Sequence, residues 1–327
     1  MAAPQHDPDA KIVLLTTGGT IATVTDYSRR YSGAQLLARV PDFAASERVE
    51  LDEADNRPSP AFEPEEALAF GRRVQRHLDR PDVSGLVITF GTDALDELLY
   101  LLYLTVESPK PVIATAAMFH TGTAFADGPR NLYQSFIAAG RPELGSAGPV
   151  LVFAGMIHSA RDVVKVNAAR AEAFASPKFG PLGSVEGNRV VLRRQHLREP
   201  VIVTEALEPA VGLIAASLGM DATLVEACLA AGNRGIVVSA MGGGALPPRM
   251  AERLKELAQE GFPVVLTSRC IEGGVHAAPG RLPGLLTAGD LPSHKARIKL
   301  MLALGAARRL PPDRVAAYLA EVFNTGR

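Results

Sequence analysis

The run Lys11-Ile12-Val13-Leu14-Leu15-Thr16-Thr17-Gly18-Gly19-Thr20-Ile21-Ala22 decides how the chain is read. Within it, residues 11–17 read as a strand, a short and mainly apolar run that fits a strand covered on both faces, and such strands belong to parallel sheets. Its second half stops that strand with two glycines, which let the backbone turn sharply and bring its N–H groups close to a ligand, and then presents the Thr20 hydroxyl. In open α/β sheets, ligands bind beyond the carboxyl ends of the strands, where this turn lies.

Working outward, residues 85–90, 111–116 and 150–154 repeat the apolar strand pattern, and residues 64–78, 94–106 and 129–139 between them carry helical periodicity. Asp93 and Asp127 are placed to cap the last two helices. The alternation predicts a doubly wound, mainly parallel sheet. Residues 183–195 read as a hairpin pair and 199–204 as a polar crossing. A second alternating series follows, with strands at 211–216, 235–240 and 263–268 and helices at 221–231 and 248–260. Helices at 293–304 and 311–323 close the chain. The fold class expected is α/β, with a larger N-terminal domain over residues 1–198, a linker over 199–210 and a smaller α/β domain over 211–327. A length of 327 residues suits two domains, each with its own core.

Hydrophobic residues make up 47% and charged residues 21%, with a net charge of −1, which argues against a nucleic-acid surface and for a small polar ligand. Residues 1–10 lack the basic start and apolar core of a signal peptide, and no apolar run of about 18 residues follows, so no membrane span and a cytoplasmic location are expected. Cys228 and Cys270 sit in apolar patterns and read as buried thiols. His77 shares a helix with Arg72, Arg73 and Arg76, which reads as a solvated face, and the remaining histidines lack ligand spacing, so no metal and no cofactor are expected. Gly242-Gly243-Gly244 lacks the spacing of a nucleotide loop and reads as a tight strand-to-helix turn.

Three polar segments follow predicted strands: Thr16 to Ala22, then Phe90-Gly91-Thr92-Asp93-Ala94, then Ser159-Ala160-Arg161-Asp162-Val163-Val164-Lys165. Together they supply two threonine hydroxyls, a carboxylate and an amine, a set suited to acyl transfer. A threonine hydroxyl needs a base to become a nucleophile; a lysine amine serves only where its surroundings favour the neutral form, and a nearby carboxylate acts in the opposite sense. The residues leave that balance open. Arg161 and Asp162 read as a structural ion pair.

TTGGTIA, GTDALDE and ARDVVKVN resemble, in order and separation, the three active-site motifs of bacterial type II L-asparaginases, the asparaginase/glutaminase family with a threonine nucleophile. The resemblance extends to ADGPRNLY at 126–133 and AFASPKFGPLG at 173–183. It implies hydrolysis of L-asparagine to L-aspartate and ammonia, with L-glutamine as a second substrate. By the same resemblance Thr20 is the nucleophile, Thr92 the second catalytic threonine and Lys165 its proton acceptor. Asp93 binds the substrate's α-amino group, Ser59 its α-carboxylate, and Gly19, Gly91 and the carbonyl of Ala117 face the substrate. Tyr31 matches the tyrosine of a flap over the site, with Tyr27 the second candidate. A polar stretch between Ala22 and Gln35 also reads independently as a lid. The resemblance further implies a homodimer or a homotetramer built as a dimer of dimers, with the C-terminal domain completing a neighbour's site.

The sequence departs from the family pattern at Phe90, Ala94 and Pro60, and Gly242 to Ala245 stands where an interface asparagine is usual. Glu272 is the candidate for the family's interface glutamate. These departures keep a catalytically weak amino-acid sensor and a glutaminase-asparaginase as alternatives. The ammonia-supplying amidase of a tRNA-linked amidotransferase is disfavoured, because ten residues precede the first strand.

Overall fold

The computed structural model describes residues 10–25, 29–275 and 284–324. The chain divides into two compact units, one ending at Arg198 and the other beginning at Glu199. Strands of the first unit are β1 (Lys11–Thr16), β2 (Val49–Glu53), β3 (Val83–Thr89), β4 (Val112–Thr115), β5 (Val150–Phe153), β6 (Met156–Ser159), β7 (Val164–Lys165), β8 (Phe174–Ala175), β9 (Gly183–Glu186) and β10 (Arg189–Leu192). Its helices are α1 (Gly33–Leu37), α2 (Pro41–Ala44), α3 (Pro64–Leu78), α4 (Leu95–Thr105) and α5 (Gly128–Ala139). Eight strands form one sheet in the order β10-β9-β6-β5-β4-β3-β1-β2, parallel from β5 to β2 and antiparallel beyond. The two remaining strands, β7 and β8, form a separate antiparallel ribbon.

The patterning explains the layers. Val13, Leu14 and Leu15 of β1 and Leu86, Val87 and Ile88 of β3 are fully buried, as strands covered on both faces must be. Helix α4 is apolar on nearly every side, and Leu95 to Leu104 are all buried apart from Glu97. Helix α3 is amphipathic: Leu68, Val74 and Leu78 face inward, Pro64 occupies its first turn, and the Glu66 carboxylate accepts the Glu63 N–H at 2.8 Å. A core of Leu14, Val87, Ile113, Leu132, Phe136 and Val152 joins β1, β3, β4, β5 and α5.

Edge strand β2 has no counterpart among the strands expected from the sequence. Its acidic residues look solvated by pattern, but Glu50 is ion-paired with Arg80 at 2.6 Å and Asp52 bonds to both Arg73 and His77. This corrects the solvated face assigned to His77, whose side chain is only 15% exposed because Asp52 takes its Nε2 at 2.7 Å.

The second unit contains a parallel four-stranded sheet, β11 (Val211–Ala215), β12 (Gly235–Ala240), β13 (Val264–Ser268) and β14 (Leu286–Thr287), in chain order. Helices α6 (Thr223–Ala230), α7 (Pro248–Gln259), α8 (Ser293–Ala307) and α9 (Pro312–Asn324) complete it. Ile214, Ile236, Val238, Leu254 and Leu266 form its core. Gly242 and Gly244, at φ 49° and 113°, make the turn between β12 and α7, closed by the Ala245 N–H donating to Met241 O at 2.8 Å. Within this unit Lys299 of α8 pairs with Glu199 at 2.6 Å, both side chains 5% exposed. The cysteines correct the sequence reading: Cys270 is exposed on the loop after β13, and Cys228 is half-buried. No helix among the described residues is long and apolar enough to cross a membrane.

Candidate active site

β1 pairs with β2 on one side and with β3 on the other, so the direction of winding reverses between β1 and β3. Such a switch point opens a crevice at the carboxyl ends of the two strands, because the loops leaving them run to opposite faces of the sheet. The register puts Thr16 beside Thr89, and the Thr17 hydroxyl donates to Thr89 O at 2.7 Å, so the strand ends are level and stapled. The loops that leave this point are Thr17 to Thr20 and Phe90 to Asp93.

These loops touch through glycine. Gly19 has φ 81°, and a Cβ on it would lie 2.5 Å from Gly91 Cα; a Cβ on Gly91 would lie 2.6 Å from Ser59 Oγ. Gly19, Gly91 and Ser59 are therefore packed in sequence, with no room for a side chain at either glycine. Ser59 is buried, and its Oγ accepts the Ala94 N–H at 3.3 Å. Beside them Lys165 Nζ donates to Thr92 Oγ1 at 2.9 Å and to Asp93 Oδ1 at 2.6 Å. Thr92 is buried, the Lys165 side chain is 19% exposed, and the Asp93 side chain is 66% exposed, so its carboxylate is open to an incoming cation.

Thr20 follows Gly19 directly and opens a single 3-10 turn, Thr20–Ala22, in which its carbonyl accepts the Thr23 N–H at 3.0 Å. Beneath it, Ile21, Ala22, Leu36 and Ala117 form a small apolar cluster on which Tyr31 packs. Direct contacts thus join Gly19, Gly91, Ser59, Thr92, Asp93 and Lys165. Thr20, Tyr31 and the fully buried Ala117 belong to the adjoining turn and its support.

The stretch read as a lid is tied at both described ends. The Thr23 carbonyl accepts the N–H and hydroxyl of Thr121, each at 2.9 Å, and His120 Nδ1 lies 3.0 Å from Val24 O. At the other end Tyr31 N–H donates to Ala22 O at 2.7 Å and Asn56 Nδ2 donates to Tyr31 O at 3.2 Å. Tyr27 lies outside the described residues.

Both predicted helix caps are corrected. Helix α4 begins at Leu95 with Ala94 at its N-cap, so Asp93 lies one residue outside the cap position and its carboxylate goes to Lys165 Nζ at 2.6 Å. Asp127 does sit at the N-cap position of α5, but its carboxylate accepts Met118 and Phe119 N–H at 3.0 and 2.9 Å. Asn131 adds a bond to Ala116 O at 3.0 Å, so the ADGPRNLY segment brackets Ala117 from both sides. Nothing in the local pattern of that segment signals this use. The expected Arg161–Asp162 pair forms at 3.3 Å and is joined by Arg194, 2.9 Å from the other Asp162 oxygen. Burial alone would raise the Asp162 carboxyl; the Arg194 hydrogen bond and the His196 and Arg161 charges outweigh it and hold that carboxyl below the ordinary range.

The sequence matches the family described as Asparaginase, N-terminal over residues 11–198 and the Glutaminase/Asparaginase C-terminal domain over residues 210–318. The chain belongs to the asparaginase family. L-asparaginase 2 of Bacillus subtilis (strain 168) is 31% identical over 95% of this chain and 86% of its own length. The glutaminase-asparaginase of Pseudomonas fluorescens biotype A is 32% identical over 90% and 86%. The crystal structure of the probable cytoplasmic L-asparaginase of Campylobacter jejuni superposes with a TM-score of 0.84 at 28% identity, covering 97% of this chain and 99% of that one. Among asparaginase-family departures, Phe90 is buried against Phe62 with ring centroids 4.9 Å apart, while Pro60 is exposed. Glu272 is exposed on the loop after β13 in the second unit.

Proposed function

We propose that the protein hydrolyses L-asparagine to L-aspartate and ammonia through an acyl-enzyme on Thr20. The observation that carries this reading is the contact of Lys165 Nζ with both Thr92 and Asp93, beside the Gly19–Gly91–Ser59 stack, in a chain of the asparaginase family. The exposed Asp93 carboxylate binds the substrate α-ammonium, and Ser59, whose Oγ already accepts the Ala94 N–H, keeps its own proton to donate to the α-carboxylate. Bound at those two groups, the side-chain amide reaches the turn that carries Thr20. The Thr20 hydroxyl attacks the amide carbonyl, and its proton passes through Thr92 to Lys165, acting as the neutral amine, and from there to the departing amide nitrogen. Ammonia leaves, and water cleaves the ester to release aspartate. Tyr31 closes over Thr20, Gly19 and Gly91 line the pocket, and the Ala117 carbonyl faces the amide.

No cofactor enters this scheme. L-glutamine is a second substrate, as the naming of the Pseudomonas relative suggests. We place residues 1–198 as the catalytic domain, 199–210 as the linker and 211–327 as a domain that completes a neighbouring subunit's site in a homodimer or homotetramer, acting in the cytoplasm. Ammonia release from both amides tests the activity: Thr20→Ala should abolish it and leave aspartate binding intact, and retained turnover in that variant would refute the nucleophile. A binding protein without catalysis would bind aspartate and release no ammonia.

A further inference from the structure

Lys165 ends a strand of only two residues, and its side chain can hold Thr92 only if its backbone is held as well. In the β7–β8 ribbon Val164 opposes Ala175 and Lys165 opposes Phe174, and the Val166 N–H donates to Ala173 O at 2.8 Å. Alternate N–H groups of an antiparallel strand point to opposite sides, so the Lys165 N–H faces away from β8. An outward, partly buried N–H requires a partner. That partner is Asp96 Oδ2, at 3.3 Å.

Asp96 is 6% exposed and lies in the first turn of α4, directly after the loop that carries Thr92 and Asp93. A carboxylate there is favoured by the helix dipole, and the N-cap residue, Ala94, supplies no side-chain cap of its own. Its position matters more than its charge. One rigid helix start presents Thr92 and Asp93 to Lys165 Nζ while its Asp96 grips the Lys165 backbone, so the two sides of the contact cannot drift apart independently.

We infer that Asp96 is a positioning residue, which fixes the Lys165 backbone so that Nζ meets Thr92. This rests on the role given to Lys165 above, and Asp96 itself touches no substrate. A displacement of about 1 Å at a reacting group can cost on the order of 10²-fold in rate. Asp96→Ala should therefore lower kcat for asparagine by about 10- to 100-fold and leave aspartate affinity, set by Asp93 and Ser59, within about threefold. Asp96→Asn keeps an acceptor of the same size and should restore kcat to within about threefold of wild type.

The deciding measurement is a double-mutant cycle with Lys165→Met. If Asp96 acts through Lys165, Asp96→Ala should cost nothing further in the Lys165→Met background. Multiplicative losses, or an Asp96→Asn variant as slow as Asp96→Ala, would overturn the inference. So would a wild-type rate for Asp96→Ala. Should Asp96→Ala fail to fold, Asp96→Ser carries the same cycle. A fully active Lys165→Met would instead defeat the parent reading, so the two failures are distinguishable.

Discussion

His158 offers a test of the structure that does not depend on turnover. It lies on β6, 4% exposed, with Nδ1 3.0 Å from Ser176 Oγ. Burial and then the Arg194 charge lower its pKa from 6.5 to about 4, with Asp162 opposing them too weakly to compensate. The unfolded chain therefore takes up a proton near pH 6.5 that the folded chain refuses until about pH 4. Between those values the unfolded state binds more protons, so stability rises with pH: the contribution is complete above the unfolded value and lost as pH falls towards the folded one. At 1.36 kcal/mol per unit, the full shift corresponds to about 3 kcal/mol, of which about 2 kcal/mol is gone by pH 5. Replacing His158 by Gln removes the titration and keeps an amide for Ser176. Urea unfolding of wild type and His158→Gln at about pH 5 and about pH 7.5 gives a double difference in which carboxylates common to both proteins cancel. Wild type should lose about 2 kcal/mol more than the variant on acidification. Equal losses would mean that His158 is not buried as a neutral ring.

Other expectations follow from single contacts. Lys165→Met should lower kcat for asparagine by about 10²- to 10⁴-fold, the range for a lost proton-transfer group, and a near-normal rate would remove Lys165 from the mechanism. Gly91→Ala drives a methyl into Ser59 and should raise KM for asparagine more than it lowers kcat, at a stability cost of about 1–3 kcal/mol measured by urea unfolding; unchanged KM would contradict the packed stack. Glu199→Ala strands the buried Lys299 ammonium and should destabilise the second unit by about 3–5 kcal/mol, whereas Glu199→Gln with Lys299→Met should recover most of that; a loss under about 1 kcal/mol in the single variant would show the pair to be solvated. Trypsin cleavage after Arg29 or Arg30 should slow when aspartate is bound, and unchanged rates would argue against an ordering lid.

Most of the parallel framework was legible because its strands carry the signal on both faces. Strand β1 was expected at 11–17 and ends at Thr16, and α3 occupies the predicted 64–78. What escaped was structure whose signal lies in its partners. Strand β2 alternates Val49 and Leu51 with acids, and only Arg73, His77 and Arg80 opposite make those acids part of a fold. The ribbon strands β7 and β8 are two residues each, too short for any periodicity. Asp127 stands at a helix cap and Asp93 one residue before one, and local pattern cannot tell a carboxylate that caps its own helix from one claimed by a group distant in sequence. Cys270 ends an apolar run, yet burial stops at Thr267, one residue before the strand ends at Ser268.

The candidate site was legible for a different reason, which bears on how it works. Nothing local marks Thr20, Thr92 or Lys165 as partners, but the order of elements does: a strand that pairs first with β2 and then with β3 must place its own loop and the β3 loop side by side. The two glycines turn that neighbourhood into contact, because only residues without Cβ allow the Gly19 and Gly91 backbones to meet. Lys165 comes from outside this framework, on a ribbon that the main sheet does not order. Its approach therefore depends on side-chain bonds to Thr92 and Asp93 and on one backbone bond to Asp96. The turn that carries Thr20 is thus fixed by topology and backbone packing, and Lys165 by three hydrogen bonds. If Lys165 carries the proton as proposed, substitution of Lys165 or Asp96 should impair proton transfer while the face formed by Asp93 and Ser59 stays intact, a separation that kcat and aspartate affinity measure independently.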